Sequence, residues 1–155
     1  MEEKPLVGVL VGSRTDEPLI QDTLKVLTDM GIPHEFNAMS AHRSPQRVMD
    51  YVSVAEERGI EVLIAGAGGS AALPGVVASW TTLPVIGIPL PTSDLVGVDA
   101  LHTIVQMPPG VPVACVAIGA WGARNAAYLA ASILGIKHPA IKQAYADYRE
   151  GLRKA

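Results

Sequence analysis

Charge is scarce in this chain. Asp, Glu, Lys and Arg make up 17% of its 155 residues, against about 25% in an average soluble domain. Hydrophobic residues make up 49%, so part of the apolar surface is expected to lie between subunits. Positive charge is scarcer still: 12 Lys and Arg stand against 15 Asp and Glu, a formal net charge of -3. That excludes a general nucleic-acid binder, which neutralises phosphates with clusters of Lys and Arg. A small anionic ligand stays possible, because one Arg and a helix N-terminus can hold one phosphate. Cysteine is nearly absent. Cys115 alone cannot close an internal disulfide, which points to a reducing compartment. It stands in the apolar run Val113–Ala117 and reads as a buried structural thiol. No uninterrupted apolar stretch reaches the ~18 residues of a membrane span. The first residues, Met1-Glu2-Glu3-Lys4, are charged, and the apolar run after them ends at Gly12, unlike a signal peptide. The expectation is a soluble, cytoplasmic protein with neither membrane nor nucleic acid as partner.

Several motifs are missing as well. No His, Cys, Asp and Glu stand at metal-ligand spacing. There is no G-x-S-x-G nucleophile elbow. The glycine-rich stretch 66–75 is neither a dinucleotide fingerprint nor a Walker loop, which needs a Lys after its last Gly.

What is present is a regular alternation of short apolar runs and helical patterns. Leu6–Val11 is continuously apolar between Pro5 and Gly12 and reads as a strand buried on both faces. Residues 15–30 carry apolar side chains at helical spacing, and Gly31 stands where a C-terminal cap belongs. Residues 34–39 form a less apolar strand nearer an edge. Ser44-Pro45 opens the next helix, with Ser44 as cap and Pro45 in the first turn. Val48, Tyr51, Val52 and Ala55 form its buried stripe, and Gly59 closes it. Further strands are expected at 60–65, 85–88 and 113–118. Helices are expected near 73–80 and 98–106, and over 124–134 and 139–154. Five strand–helix repeats in 155 residues describe a single α/β domain, residues 1–155: a three-layer parallel sheet with helices on both faces. The flavodoxin-like order 2-1-3-4-5, with an extra C-terminal helix, fits this length. That last helix has no later segment to pack against and could reach a neighbouring subunit.

Ligands of such sheets bind beyond the carboxyl ends of the strands. After the first strand come Ser13, Thr15 and Asp16. They either cap the helix or meet an anionic, hydroxylated ligand, with Asp16 as acceptor for ribose hydroxyls. After the second come Ser40, His42 and Arg43. Arg suits a phosphate, and His exchanges a proton near neutral pH; the bland alternative is a solvated surface turn. After the third come Ala67, Gly68 and Gly69, leading to Leu73. The glycines there allow close backbone approach to a ligand, or simply a tight turn. The loop after the fourth strand, Pro89–Gly97, is stiffened by proline. His34, His102 and His138 read as structural.

These loops, in this order, resemble the N5-carboxyaminoimidazole ribonucleotide mutases, the PurE family. The matching blocks are Gly12-Ser13 with Asp16, Ser40-Ala41-His42-Arg43 with Pro45, and Ile64–Gly69. Leu73-Pro74-Gly75, Gln106-Met107-Pro108, Gly110–Val113 and Val116–Gly119 with Asn125–Ala127 continue the match over residues 6–135. The resemblance implies movement of a carboxylate from an exocyclic nitrogen to a ring carbon in purine biosynthesis, with CO2 as a sequestered intermediate and no metal or cofactor. It implies His42 as general acid and base, and a nucleotide ribose and phosphate held by Ser13, Thr15, Asp16, Ser40 and Arg43. It places Ala67, Gly68, Gly69 and Leu73 around the base and carboxylate, and it implies a homo-octamer with sites at subunit contacts. The chain departs from the family pattern at Ala72, where the family has His; at Thr15, where Ser is usual; and at Glu17, where an apolar or aromatic residue is usual. Arg43 favours the mutase branch over the direct carboxylases, which have Lys there. Two other readings stand beside the mutase: a carboxylase or decarboxylase acting on aminoimidazole ribonucleotide or another nucleotide, and a non-catalytic nucleotide- or flavin-binding module.

Overall fold

The computed structural model describes residues 4–155. β1 (Val7–Val11) lies between β2 (His34–Ala38) and β3 (Val62–Gly68). β4 (Val85–Leu90) and β5 (Ala114–Cys115) extend the sheet to the order β2-β1-β3-β4-β5, with every pair parallel. This is the doubly wound order expected from the sequence. β1 is buried along its whole length, which explains why Val-Gly-Val-Leu-Val does not alternate with polar residues.

The pleat sends its side chains to two cores. Val7, Val9 and Val11 pack with α1 (Gln21–Asp29) and α5 (Gly119–Leu134). Leu10 packs with α2 (Pro45–Ser53), α3 (Leu73–Ser79) and α4 (Val98–Val105). α5 meets its neighbours through Ala123, Ala126, Ala127, Ala130 and Ala131, all fully buried. Such small side chains bring the helix close enough for Thr23 of α1 to donate to the Ala123 carbonyl at 2.7 Å. That bond satisfies a fully buried hydroxyl. α6 (Pro139–Lys154) folds back on α5 through Ile141 and the stack of Tyr148 on Tyr128, 4.4 Å between ring centres. The joint before it is tied to the sheet where Lys137 and His138 reach Glu61 at 2.6 and 3.0 Å. Burial pulls the Glu61 carboxyl upward, but these two hydrogen bonds outweigh it and hold it below the ordinary range. No helix of the described residues is long and apolar enough to cross a membrane.

Several boundaries differ from the sequence reading. The helix expected over 15–30 is split, with Arg14–Ile20 forming a 3-10 segment and α1 beginning only at Gln21. Pro18 inside that segment has no amide to donate and crowds an α-turn. Helix α2 ends at Ser53 and passes through turns to Gly59 (φ +104°) instead of running up to it. Ser44 does not cap α2; its hydroxyl donates to the Ser40 carbonyl at 3.1 Å and accepts from the Ser40 amide at 3.2 Å, so it is already engaged. β3 and β4 run past their expected ends, because Gly66, Ala67 and Gly68 pair with Ile88, Pro89 and Leu90. Pro89 is tolerated there because the β5 ladder has stopped at Gly87. β5 shrinks to two residues, with Pro112 just before it removing a donor. Cys115 is accordingly half-buried and not enclosed. α5 starts at Gly119, five residues before the expected Arg124.

Gly8 illustrates how tightly the layers meet. A β-carbon there would stand 2.5 Å from the Tyr51 hydroxyl and 2.8 Å from Leu63 Cδ2. Tyr51 cannot yield freely, since its hydroxyl donates to Glu35 at 2.7 Å. Gly8→Ala is therefore expected to destabilise the fold by about 1–3 kcal/mol, the usual cost of overpacking. Thermal unfolding would show it as a melting temperature several degrees lower, and an unchanged value would refute the close packing.

Candidate active site

The carboxyl ends of β1 to β4 open into one cleft of about 330 Å³. One wall is polar. Ser13 has extended backbone (φ -150°, ψ 151°), and its hydroxyl accepts from the Thr15 amide at 3.3 Å and the Thr15 hydroxyl at 2.9 Å. The turn continues with the Asp16 amide on the Ser13 carbonyl at 3.0 Å, which aims the Asp16 side chain into the cleft. After β2, the Ser40 hydroxyl accepts from the Arg43 amide at 3.1 Å and from Arg43 Nε at 3.4 Å. Arg43 Nη2 then reaches across to the Gly12 carbonyl at 3.4 Å, joining the two loops. His42 is exposed at the cleft, and no hydrogen bond among the described residues engages its imidazole. Both ring nitrogens are thus available to a ligand.

The opposite wall is apolar and built from backbone. Ala67 and Gly68 end β3, and Ala71, Ala72 and Leu73 follow. The turn between them uses left-handed backbone at Gly69 (φ +59°) and at Ala71 (φ +40°). Ala71 has a β-carbon and is strained in that region, a conformation held by the surrounding structure. Thr92, from the loop after β4, closes this wall. On the far side of Gly12 and Ser13 a second cavity of about 460 Å³ adjoins the first, with Arg14, Arg43 and Arg47 at its walls. Positive charge that is scarce in the whole chain is concentrated at this mouth.

Asp16 carries a titratable consequence. Burial in the cleft pushes its carboxyl upward, more than the Ser13 hydrogen bond and the Arg43 charge pull it down. A carboxyl raised in the folded state binds its proton more readily than in the unfolded chain. Stability therefore falls as pH rises through the carboxylate range and stays lower above it. Asp16→Asn is expected to raise the melting temperature slightly at neutral pH, with the gain vanishing in acid once the carboxyl is protonated in both folded and unfolded chains. A lower melting temperature at neutral pH would contradict this sign.

Of the residues singled out in the sequence, His42, Ser13, Asp16, Ser40, Arg43, Ala67, Gly68 and Leu73 line this cleft. Thr15 and Gly69 do not; Thr15 is exposed and orients Ser13, and Gly69 makes the turn behind the wall. Sequence reasoning passed over Gly12, Ala41, Ala71 and Thr92 as wall residues. It also missed Arg14 and Arg47 beside the mouth. The prolines around Thr92 were the only signal for that loop. His34 is held by the Ile32 carbonyl at 2.8 Å and His138 by Glu61, both away from the cleft. Burial pushes the Cys115 thiol up, which disfavours the thiolate. Among the described residues, no group of three His, Cys, Asp or Glu side chains could hold a metal ion.

Fold and cleft together define a doubly wound α/β protein with a cleft at the carboxyl ends of its strands, an unengaged histidine lining it and three arginines lining the adjoining cavity. The family model for AIR carboxylase matches residues 6–155, and the chain belongs to that family. It is 52% identical over 152 residues to the N5-carboxyaminoimidazole ribonucleotide mutase of Pyrococcus horikoshii, covering 98% of this chain and 85% of the relative. It is 54% identical over 150 residues to the mutase of Thermotoga maritima, covering 97% and 86%. The crystal structure of Treponema denticola PurE superposes with a TM-score of 0.85 at 28% identity, covering 97% of this chain and 92% of that one.

Proposed function

We propose that this chain is an N5-carboxyaminoimidazole ribonucleotide mutase of purine biosynthesis, an isomerase that forms 4-carboxy-aminoimidazole ribonucleotide. The observation that carries the reading is one cleft lined together by His42, by hydroxyls with Asp16 and Arg43, and by Ala67, Gly68 and Leu73, in a chain half identical to mutases. Arg43 and Ser40 suit the phosphate, supported by Arg14 and Arg47 at the adjoining mouth. Ser13 and Asp16 suit the ribose. The apolar wall suits the base and carboxylate, and there CO2 would be held away from water.

His42 serves both halves of the reaction. It protonates the ring carbon while the carboxylate leaves the exocyclic nitrogen as CO2. One proton then returns from the ring carbon to the imidazole as that carbon takes up the CO2, and the carbon's remaining hydrogen passes to the exocyclic nitrogen as the aromatic amino product forms. No metal or cofactor enters this route. The protein is cytoplasmic and works as a homo-octamer. Its large apolar side chains left exposed on the single chain, including Trp121 at 73% and Val96 at 66% exposure, are the surface such an assembly would cover.

The test is conversion of N5-carboxyaminoimidazole ribonucleotide by the purified protein without ATP or metal. Turnover supports the reading, and none overturns it. One observation favours a second reading: Ala72 lines the cleft with a methyl group where the family pattern has an imidazole. A carboxylase would instead consume aminoimidazole ribonucleotide and CO2 and leave the N-carboxylated nucleotide untouched.

A further inference from the structure

We infer that Thr92 is a substrate-binding residue, its hydroxyl donating a hydrogen bond to the carboxylate that migrates; the inference rests on the mutase reading. The wall that would face the base and carboxylate offers Ala67, Gly68, Ala71, Ala72 and Leu73, with Thr92 as the one side chain there that carries a hydrogen-bonding group. Among the side chains of this wall, only that of Thr92 can offer a carboxylate a hydrogen bond in exchange for the hydration it loses there.

The position of the hydroxyl is built in. β3 ends at Gly68, and a β-carbon at that residue would collide with the Thr92 side chain. Gly68 is thus the gap into which Thr92 packs. Pro91 precedes it with a fixed φ, and the Thr92 amide turns back onto the Leu90 carbonyl at 2.9 Å. The neighbouring hydroxyl behaves differently. Ser93 donates to Asp99 at 2.6 Å and accepts from the Leu95 amide at 3.2 Å, so it is spent on the loop itself. Thr92 is exposed at the cleft, its hydroxyl lies beside Gly68, and among the described residues no hydrogen bond uses that hydroxyl.

The experiment compares wild type, Thr92→Val and Thr92→Ser in steady-state conversion of N5-carboxyaminoimidazole ribonucleotide, with melting temperatures alongside. Val keeps the shape and removes the hydroxyl. Its kcat/KM is expected to fall about 10- to 100-fold, the loss of one hydrogen bond to a charged group. Most of that change should appear in KM, with the melting temperature within about 2 °C of wild type. Ser keeps the hydroxyl and should stay within about threefold. Wild-type constants in Thr92→Val overturn the inference while leaving the mutase reading intact. Equal impairment of Val and Ser also overturns it, because the side chain would then act through its packing on Gly68. An inactive wild type overturns the mutase reading, and this inference with it.

Discussion

His42→Asn is expected to lower kcat by at least about 10³-fold while ligand affinity changes little. General acid and base catalysis by one positioned group contributes roughly 10²–10⁴-fold, and this imidazole would act twice in each turnover. Asn is close in size and can fill one hydrogen-bonding position, but it cannot exchange a proton. The fold should not notice the change, since His42 is exposed and supports no hydrogen bond among the described residues. The measurement is steady-state conversion beside calorimetric binding of the product nucleotide. Near-normal kcat in the variant would remove His42 from the chemistry. Loss of binding together with turnover would make it a binding group instead.

Arg43→Ala is expected to raise KM by about 10²-fold or more. The charge-assisted contact to a phosphate is among the stronger hydrogen bonds available to a protein. A second effect adds to it. Arg43 Nη2 and Nε hold the Gly12 carbonyl and the Ser40 hydroxyl, so truncation also releases the two loops that carry Ser13 and Ser40. Arg43→Lys keeps the charge and loses the planar fork, and should fall between Ala and wild type. An unchanged KM in Arg43→Ala would place the phosphate elsewhere, with Arg14 and Arg47 next to be tested.

The strand order and most of the polar wall could be read directly from the chain, for local reasons. A continuously apolar run such as Val7–Val11 has to be covered on both faces, and its alternation with helical patterns leaves few parallel arrangements. Ser40, His42 and Arg43 stand within four residues after a strand, so their neighbourhood follows from sequence distance alone. Several expectations failed where a residue met a partner other than the one its local pattern suggested. Ser44 looked like a helix cap but is engaged by Ser40. Gly66–Gly68 looked like a loop but is paired to β4. The run around Cys115 looked like a full strand, yet it sits on the sheet edge and pairs over two residues.

By itself the sequence determined the fold class, the family and the residue types that carry the chemistry, because hydrophobic period, proline and glycine placement and short motifs are all local properties. Only the tertiary structure decided which of those residues share a cavity. It set Thr15 and Gly69 outside the wall and Thr92 inside it. It gathered Arg14, Arg43 and Arg47 around one mouth, and it raised the Asp16 carboxyl by burying it. Each of these depends on how closely separate loops approach across the end of the sheet. That distance is set by packing between elements remote in sequence, as where the bare α-carbon of Gly68 makes room for Thr92.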